Sequence, residues 1–233
     1  MGLEAGKEAA QYLRDLLARK EEINVVFAAA PSQNEFLATL AEEPGIDWSR
    51  VNALHMDEYV GLPADHPAGF GNFLKRAIWD KVSCKSVTLI GCEKTAEQAV
   101  ADYDKVLRGR KIDIVFFGIG ENGHIAFNDP GEADFNDPAL IKKVKLDEVC
   151  RMQQVHDGCF ASIDEVPQYA LSLTVPELMS CDKAFVVVPA PAKANAVKAT
   201  IEHEISDQVP STILRQHPDA TLYVDSDSGK YIL

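Results

Sequence analysis

The chain has 233 residues, 46% of them hydrophobic, which is enough to bury a large core. Its formal net charge of −13 argues against nucleic acid and anionic membranes as partners, because both require a basic surface. No apolar run approaches the ~18 residues of a membrane span, and the first residues carry no signal-peptide core.

Five cysteines are present, an odd number with no pair at C-x-x-C spacing. This pattern argues against a disulfide framework and against a zinc site. We therefore expect reduced thiols and a cytoplasmic protein.

Helical and strand patterns alternate along the first half of the chain. Apolar residues at three- and four-residue steps predict a first helix over residues 5–16. Further helices are predicted over residues 35–42, 70–79 and 96–107. Short apolar runs predict strands over residues 23–29, 51–56, 87–90 and 112–117. This order favours an α/β fold, a modified Rossmann-like and mostly parallel sheet with helices on both faces.

Residues 131–168 lack a clear period and are polar, with scattered glycine and proline. A long irregular insertion in an α/β chain is often a lid or an active-site segment, and we predict that role here, with a short helix over residues 151–154. Strands are predicted again over residues 169–175, 184–188 and 220–224. No repeat or linker interrupts the chain, so we predict a single domain over residues 1–233.

The glycine-rich stretch 118–130 follows a predicted buried strand. Three glycines in six positions let the backbone turn sharply and approach a ligand. His124 and Asp129 come next, and both can carry protons. An open α/β sheet usually places its chemistry at such a strand end. From the residues alone, a structural histidine bonded to nearby backbone is an equal alternative.

Two adjacent carboxylates, Asp57 and Glu58, follow the strand predicted over residues 51–56. Both cannot point into a core, so one that faces a cleft could act as a general base, its pKa set by burial. A solvated turn is the alternative, slightly favoured by the turn residues 61–63.

Two predicted strand-to-helix turns could hold an anion. Ser32 lies at the first, where free backbone amides and the helix dipole attract phosphate. Lys193 lies at the second, a poor position for a cation unless an anion binds there. The alternatives are that the helix start at Ser32 binds nothing and that Lys193 is simply exposed to solvent.

Two motifs and the spacing between them resemble those of a known family. Residues 56–62 are Met-Asp-Glu-Tyr-Val-Gly-Leu, and residues 123–130 are Gly-His-Ile-Ala-Phe-Asn-Asp-Pro. Together they resemble the glucosamine-6-phosphate deaminase/isomerase family, and the likeness continues to residues 216–218. It implies conversion of glucosamine 6-phosphate and water to fructose 6-phosphate and ammonia, with no metal or organic cofactor.

The resemblance also implies site roles. Asp57 would move the C2 proton, with Glu58 beside it as a further catalytic candidate. His124 would handle the protons of ring opening, and Asp129 would orient it. The remaining candidates are ligand-binding ones: Gly120 and Gly123 through backbone amides near the sugar, and Ser32 and Lys193 at the phosphate.

Four features depart from the family pattern, and the first is the phosphate loop, residues 29–33, where only Ser32 keeps a hydroxyl. Asn122 replaces an aspartate, so its role is limited to hydrogen bonding. Asp129 replaces a glutamate, which shortens its reach by about 1.5 Å, and the relay to His124 could then run through water. The family's phosphate arginine falls on Gly158, and Arg151 is the suggested substitute.

Two other functions remain open. The 6-phosphogluconolactonases have Asp-Glu-Arg where this chain has Asp-Glu-Tyr at residues 57–59, which favours the deaminase. A sugar-phosphate binding protein that has lost turnover would not need Asp57 and His124. The resemblance includes allosteric hexamers with a longer C-terminus, and the early end of this chain after its last predicted strand argues against that arrangement. We therefore expect a monomer or small homo-oligomer. The strand that precedes the family's first helix is expected to be missing.

Overall fold

The computed structural model describes all residues, 1–233, and shows an α/β fold with a mostly parallel main sheet. Its strands are β1 (Ile23–Phe27), β2 (Val51–His55), β3 (Asp57–Tyr59), β4 (Ser86–Thr88), β5 (Ile114–Phe117), β6 (Ile141–Lys145), β7 (Tyr169–Leu173), β8 (Lys183–Val188) and β9 (Ala220–Val224). Six of them form the parallel sheet, in the order β4-β2-β1-β5-β8-β9. The other three form a small antiparallel sheet, in the order β3-β7-β6.

Helices cover both faces of the main sheet. They are α1 (Gly2–Leu17), α2 (Asn34–Glu42), α3 (Phe70–Leu74), α4 (Ala96–Arg108), α5 (Glu148–His156), α6 (Val175–Met179) and α7 (Ala194–Glu202). Side chains of α1 and α2 share one hydrophobic core with Val25 and Phe27, while those of α4 and α7 share a second core with Val26. Strands buried on both faces must be apolar at successive positions, which is why short apolar runs predicted them. No helix is both long and apolar enough to cross a bilayer.

The order of the main sheet creates a crevice beside β1 and β5. These strands are hydrogen-bonded neighbours, with Val26 opposite Val115. From β1 the chain crosses through α2 to β2 on one side, whereas β8, which follows later in the chain, pairs with β5 on the other side. Connections that leave in opposite directions open a crevice at the carboxyl ends of the two strands, where ligands of open α/β sheets bind.

The segment 131–168 is more regular than its composition indicates. It contains the strand β6 and the helix α5. β6 pairs antiparallel with β7 from Ile141 opposite Leu173 to Lys145 opposite Tyr169. The strand predicted over residues 169–175 therefore belongs to the small sheet. The role of the segment as a lid stays a prediction.

Candidate active site

A pocket opens at the carboxyl ends of β1 and β5. Among the residues that line it are Ser32, Asp57, Gly120, His124 and Lys193, all predicted as site residues. The fold thus brings together side chains that are far apart in the sequence.

The glycine turn after β5 positions the ring of His124. Gly120 donates its N–H to the carbonyl of His124 at 2.9 Å, and Gly123 has a left-handed φ of +85°. A Cβ atom on Gly120 would lie 2.1 Å from Cε1 of His124. Only glycine therefore allows the imidazole to pack against this backbone, while Gly123 shapes the turn behind it.

Asp129 contacts His124 directly. The distance from Nδ1 of His124 to Oδ1 of Asp129 is 2.9 Å, and Asp129 is fully buried. The approach is off the N–H axis, so it is a close polar contact without the alignment of a hydrogen bond. The turn between Ile125 and Asn128 brings Asp129 back towards the ring. The shorter aspartate therefore needs no bridging water, which corrects that expectation.

Asn122 connects this pair to the start of α5. Its Nδ2 donates to Oδ1 of Asp129 at 3.1 Å and to Oδ2 of Asp147 at 3.0 Å. Its Oδ1 accepts the N–H of His124 at 3.0 Å. A neutral amide can donate to two carboxylates at once, whereas an aspartate here would place three carboxylates together.

These contacts set the charge of Asp129. Burial raises the pKa of its carboxyl, but the charge of His124, the Asn122 amide and the backbone N–H of Asp147 together outweigh it. The pKa of Asp129 therefore lies below its usual value, and the group stays ionised beside His124.

Asp57 has the opposite environment. It lies on β3 opposite Ser172, is 6% exposed, and its Oδ1 has no hydrogen-bond partner. Burial, and after it the charge of Glu58, raise the pKa of Asp57 well above its usual value. A buried carboxyl in a cleft with a raised pKa is the profile of a general base.

Glu58 faces away from the pocket and anchors the start of α3. Its carboxylate accepts the backbone N–H groups of Tyr59 at 2.9 Å, Phe70 at 3.0 Å and Gly71 at 3.0 Å. Successive strand residues point to opposite sides, so only one of the two adjacent carboxylates can reach the ligand. This corrects the prediction of Glu58 as a catalytic candidate.

Ser32 and Lys193 lie at equivalent turns, each a single 3₁₀ turn before a helix. Lys193 is 6% exposed, and its ammonium group makes no ion pair within the protein. Burial lowers the pKa of Lys193, although the charges of Asp157 and Glu121 oppose the shift. A buried cation without a partner is costly, so this end of the pocket suits an anion.

Arg151 does not reach the pocket. Its guanidinium donates to the carbonyls of Ile163 at 2.6 Å and Val166 at 2.9 Å. It therefore secures the turn that follows α5, which corrects the prediction that it replaces a phosphate-binding arginine. Lys193 is the one cationic side chain that lines the pocket.

Sequence reasoning missed three polar residues contributed by α5 and its start. Gln153 and Gln154 line the pocket, and Asp147 caps the helix by accepting the N–H of Cys150 at 2.6 Å. Oε1 of Gln153 accepts the N–H of Glu121 at 2.9 Å and so holds the glycine turn. The only signal in the sequence was for the two glutamines, which lie inside the short helix predicted over residues 151–154.

One cluster has the donor types of a metal site. Ligand atoms of His124, Asp129 and Cys150 lie within 4.8 Å of one another. Both oxygens of Asp129 already accept hydrogen bonds from Asn122 and Asp147, and burial raises the pKa of the Cys150 thiol well above its usual value. A protonated thiol is a poor metal ligand, so the cluster fits proton handling better than metal binding.

Comparisons with known proteins agree with this geometry. Residues 1–223 match the family model described as glucosamine-6-phosphate isomerases/6-phosphogluconolactonase. A glucosamine-6-phosphate deaminase of Lactobacillus helveticus is 34% identical over 188 residues, which cover 79% of this chain and 76% of that protein. One of Streptococcus pneumoniae is 28% identical over 227 residues, covering 97% of this chain and 94% of that protein.

Solved structures show the same fold. A monomeric glucosamine-6-phosphate deaminase matches with a TM-score of 0.88 at 24% identity, covering 99% of this chain and 96% of that one. The 6-phosphogluconolactonase of Thermotoga maritima matches with a TM-score of 0.77 at 18% identity, covering 94% of this chain and 92% of that one. At these identities the structures establish the fold and leave the reaction to the site.

Proposed function

This chain belongs to the family of glucosamine-6-phosphate isomerases and 6-phosphogluconolactonases, and we propose that it is an enzyme that converts glucosamine 6-phosphate and water into fructose 6-phosphate and ammonia. The observation that carries the proposal is one pocket lined by two proton-handling groups of different character. One is the unpartnered carboxyl of Asp57, and the other is the imidazole of His124, which Asp129 contacts from outside the pocket lining. Relatives that bear the deaminase name match most of this chain, which supports the same choice.

Ring opening requires a proton to leave O1 of the sugar and another to reach O5. His124 is suited to both transfers, because an imidazole can accept and donate protons near neutral pH. Asp129 stays ionised beside it and stabilises the imidazolium that forms in between. The open-chain form then carries an aldehyde at C1.

That aldehyde makes the proton on C2 acidic. The carboxylate of Asp57 takes this proton and returns it to C1, while O1 gains a proton and the amino nitrogen loses one, which leaves a hydroxyl group on C1 and an imine at C2. Water then hydrolyses the imine to the ketone of fructose 6-phosphate and releases ammonia. Burial makes Asp57 a stronger base than an exposed aspartate, which suits the abstraction of a carbon-bound proton.

The other end of the pocket holds the phosphate in this proposal. Ser32 offers a hydroxyl and the start of α2, and Lys193 offers the buried charge. Five free cysteines fit a cytoplasmic site of action, and we propose a monomer or small homo-oligomer. A monomeric deaminase with the same fold supports the simpler assembly.

The test is to incubate the purified protein with glucosamine 6-phosphate and to measure ammonia and fructose 6-phosphate. Both products should form in equal amounts, and Asp57→Asn should lower kcat by about a thousandfold, as expected on loss of a general base. Circular dichroism should show that the variant is folded.

The same assay separates the competing functions. Hydrolysis of 6-phosphogluconolactone without release of ammonia from the amino sugar would assign the chain to the lactonase branch. Binding of fructose 6-phosphate without turnover of either substrate would indicate a sugar-phosphate binding protein. Either outcome would contradict the proposed reaction.

A further inference from the structure

Gln154 is a buried amide without a partner. It lines the pocket, its residue is 6% exposed, and its side chain makes no hydrogen bond within the protein. Its neighbour Gln153 is 5% exposed but fully engaged, with its oxygen on the N–H of Glu121 and its amide nitrogen 3.4 Å from Asp157. The two adjacent glutamines on α5 therefore differ: the side chain of Gln153 makes hydrogen bonds within the protein, and that of Gln154 makes none.

The amide of Gln154 faces the pocket. Its nitrogen and oxygen are not among the fully buried side-chain atoms that lack a partner, so both are accessible from the pocket. Most polar residues that are this buried have a hydrogen-bond partner within the protein. The free amide of Gln154 is therefore available to a partner that arrives from the pocket.

The charges in the pocket indicate what this partner is. Lys193 is its one cationic side chain, and Ser32 is its one hydroxyl side chain. A sugar phosphate carries several hydroxyl oxygens and three terminal phosphate oxygens, more acceptors than these two groups can serve. An amide adds two N–H donors and one acceptor without adding charge.

We propose that Gln154 is a substrate-binding residue whose amide hydrogen-bonds oxygens of the bound sugar phosphate. The inference rests on the proposed function for the identity of the ligand. In this arrangement the ligand is held by a single cation together with neutral donors. Gln154 binds the substrate throughout the reaction and takes no part in proton transfer.

The test uses Gln154→Met, which keeps the length of the side chain and removes its hydrogen bonds. In the free protein the melting temperature should stay about the same, because the substitution removes no hydrogen bond within the protein. The KM for glucosamine 6-phosphate should rise about five- to tenfold, the loss expected for a neutral hydrogen bond, with kcat changed less than about twofold. The Kd of fructose 6-phosphate, measured by calorimetry, should rise by a similar factor.

Gln153→Met is the matched control. It removes the acceptor for the Glu121 N–H, so its melting temperature should fall. A comparable fall for Gln154→Met would show a structural role and overturn the proposal. Unchanged KM and Kd values in Gln154→Met would overturn it as well.

The binding measurement separates this inference from the proposed reaction. If the unaltered protein binds fructose 6-phosphate but releases no ammonia, the reaction is wrong, and the Kd of Gln154→Met still decides the role of Gln154. If the unaltered protein does not bind fructose 6-phosphate, both proposals are overturned.

Discussion

Two buried carboxyl groups lie in the same site and have opposite properties. Asp129, in the loop after β5, contacts His124 and accepts hydrogen bonds from Asn122 and Asp147, and its pKa lies below the usual value. Asp57, on β3, has an oxygen without a partner, and its pKa lies well above the usual value. Burial acts on both groups in the same direction, so their different partners separate them.

The two environments suit the two carboxyl groups to different roles in the site. An ionised aspartate whose two oxygens both accept hydrogen bonds from the protein can orient and stabilise a histidine. An unengaged carboxyl of raised pKa is available to take a proton from a ligand. Pairs of titratable groups whose environments move their pKa values apart mark the roles in acid–base sites.

Among the variants that test this comparison, the largest effect is expected for Asn122→Asp, which would make the two carboxyl environments more alike. Asn122→Asp would place a carboxylate at hydrogen-bond distance from Asp129 and Asp147. Repulsion among three carboxylates should raise their pKa values and weaken the support that Asp129 gives to His124. We expect kcat at neutral pH to fall about a hundredfold, which corresponds to about 2.7 kcal/mol in the activation free energy.

The pH profile provides the control for this variant. Activity of Asn122→Asp relative to the unaltered protein should recover as the pH is lowered, because a protonated Asp can donate a hydrogen bond again. Asn122→Ala, which removes the donor without adding charge, should not recover in this way. Full activity of Asn122→Asp at neutral pH would show that the amide is not required between the two carboxylates.

A smaller effect is expected at the neighbour of Asp57. Glu58→Gln keeps one acceptor oxygen for Tyr59 and Phe70 but turns an N–H group towards the N–H of Gly71. We expect the free energy of unfolding to fall by about 2 kcal/mol, the cost of a buried donor without an acceptor. Denaturant titration measures this, while kcat of the folded variant should change only a few-fold. A loss of kcat as large as that of Asp57→Asn would return Glu58 to the catalytic machinery.

The smallest effect is the pH dependence of stability, which should have opposite signs for the two aspartates. The folded-state pKa of Asp57 is raised, so its contribution is most favourable at low pH and is lost as the pH rises from about 4 towards that pKa. The pKa of Asp129 is lowered, so its contribution is present above about pH 4 and is lost as the pH falls. Each slope is at most about 1.4 kcal/mol per pH unit.

Denaturant titrations of Asp57→Asn and Asp129→Asn over a range of pH provide the measurement. Relative to the unaltered protein, Asp57→Asn should become more stable as the pH rises from about 4, and Asp129→Asn should become more stable as the pH falls below about 4. Parallel slopes for the two variants would mean that their environments do not differ as described.

The sequence predicted most of the main sheet, because parallel strands covered on both faces are short apolar runs. The strand predicted over residues 220–224 coincides with β9, and that over residues 51–56 extends one residue beyond β2. β6 was missed because its sequence is not an apolar run. Its sequence, Ile-Lys-Lys-Val-Lys, buries Ile141 and Val144 only because β7 pairs with it, and that partner lies far along the chain.

The candidate site was predictable where a motif fixed both residue type and local geometry. His124 and Asp57 are examples, although their side-chain roles stay predictions until activity is measured. Glu58 and Arg151 could not be placed, because the direction of a side chain depends on strand pairing and on the turn that it meets. Gln154 could not be recognised, because its significance is the lack of a partner, which only packing reveals.

The contacts of Asn122 also bear on the chemical lifetime of the protein. An asparagine followed by glycine is prone to spontaneous deamidation, since the glycine N–H can attack the unshielded side-chain carbonyl. Here the N–H of Gly123 is bonded to the carbonyl of Gly120 at 3.0 Å, and the Asn122 amide is held by Asp129 and Asp147. The folded loop restrains both reacting groups, whereas unfolding releases them. Repeated unfolding would therefore convert Asn122 to aspartate, which would bring three carboxylates together. A stable fold thus also preserves the chemical composition of the site.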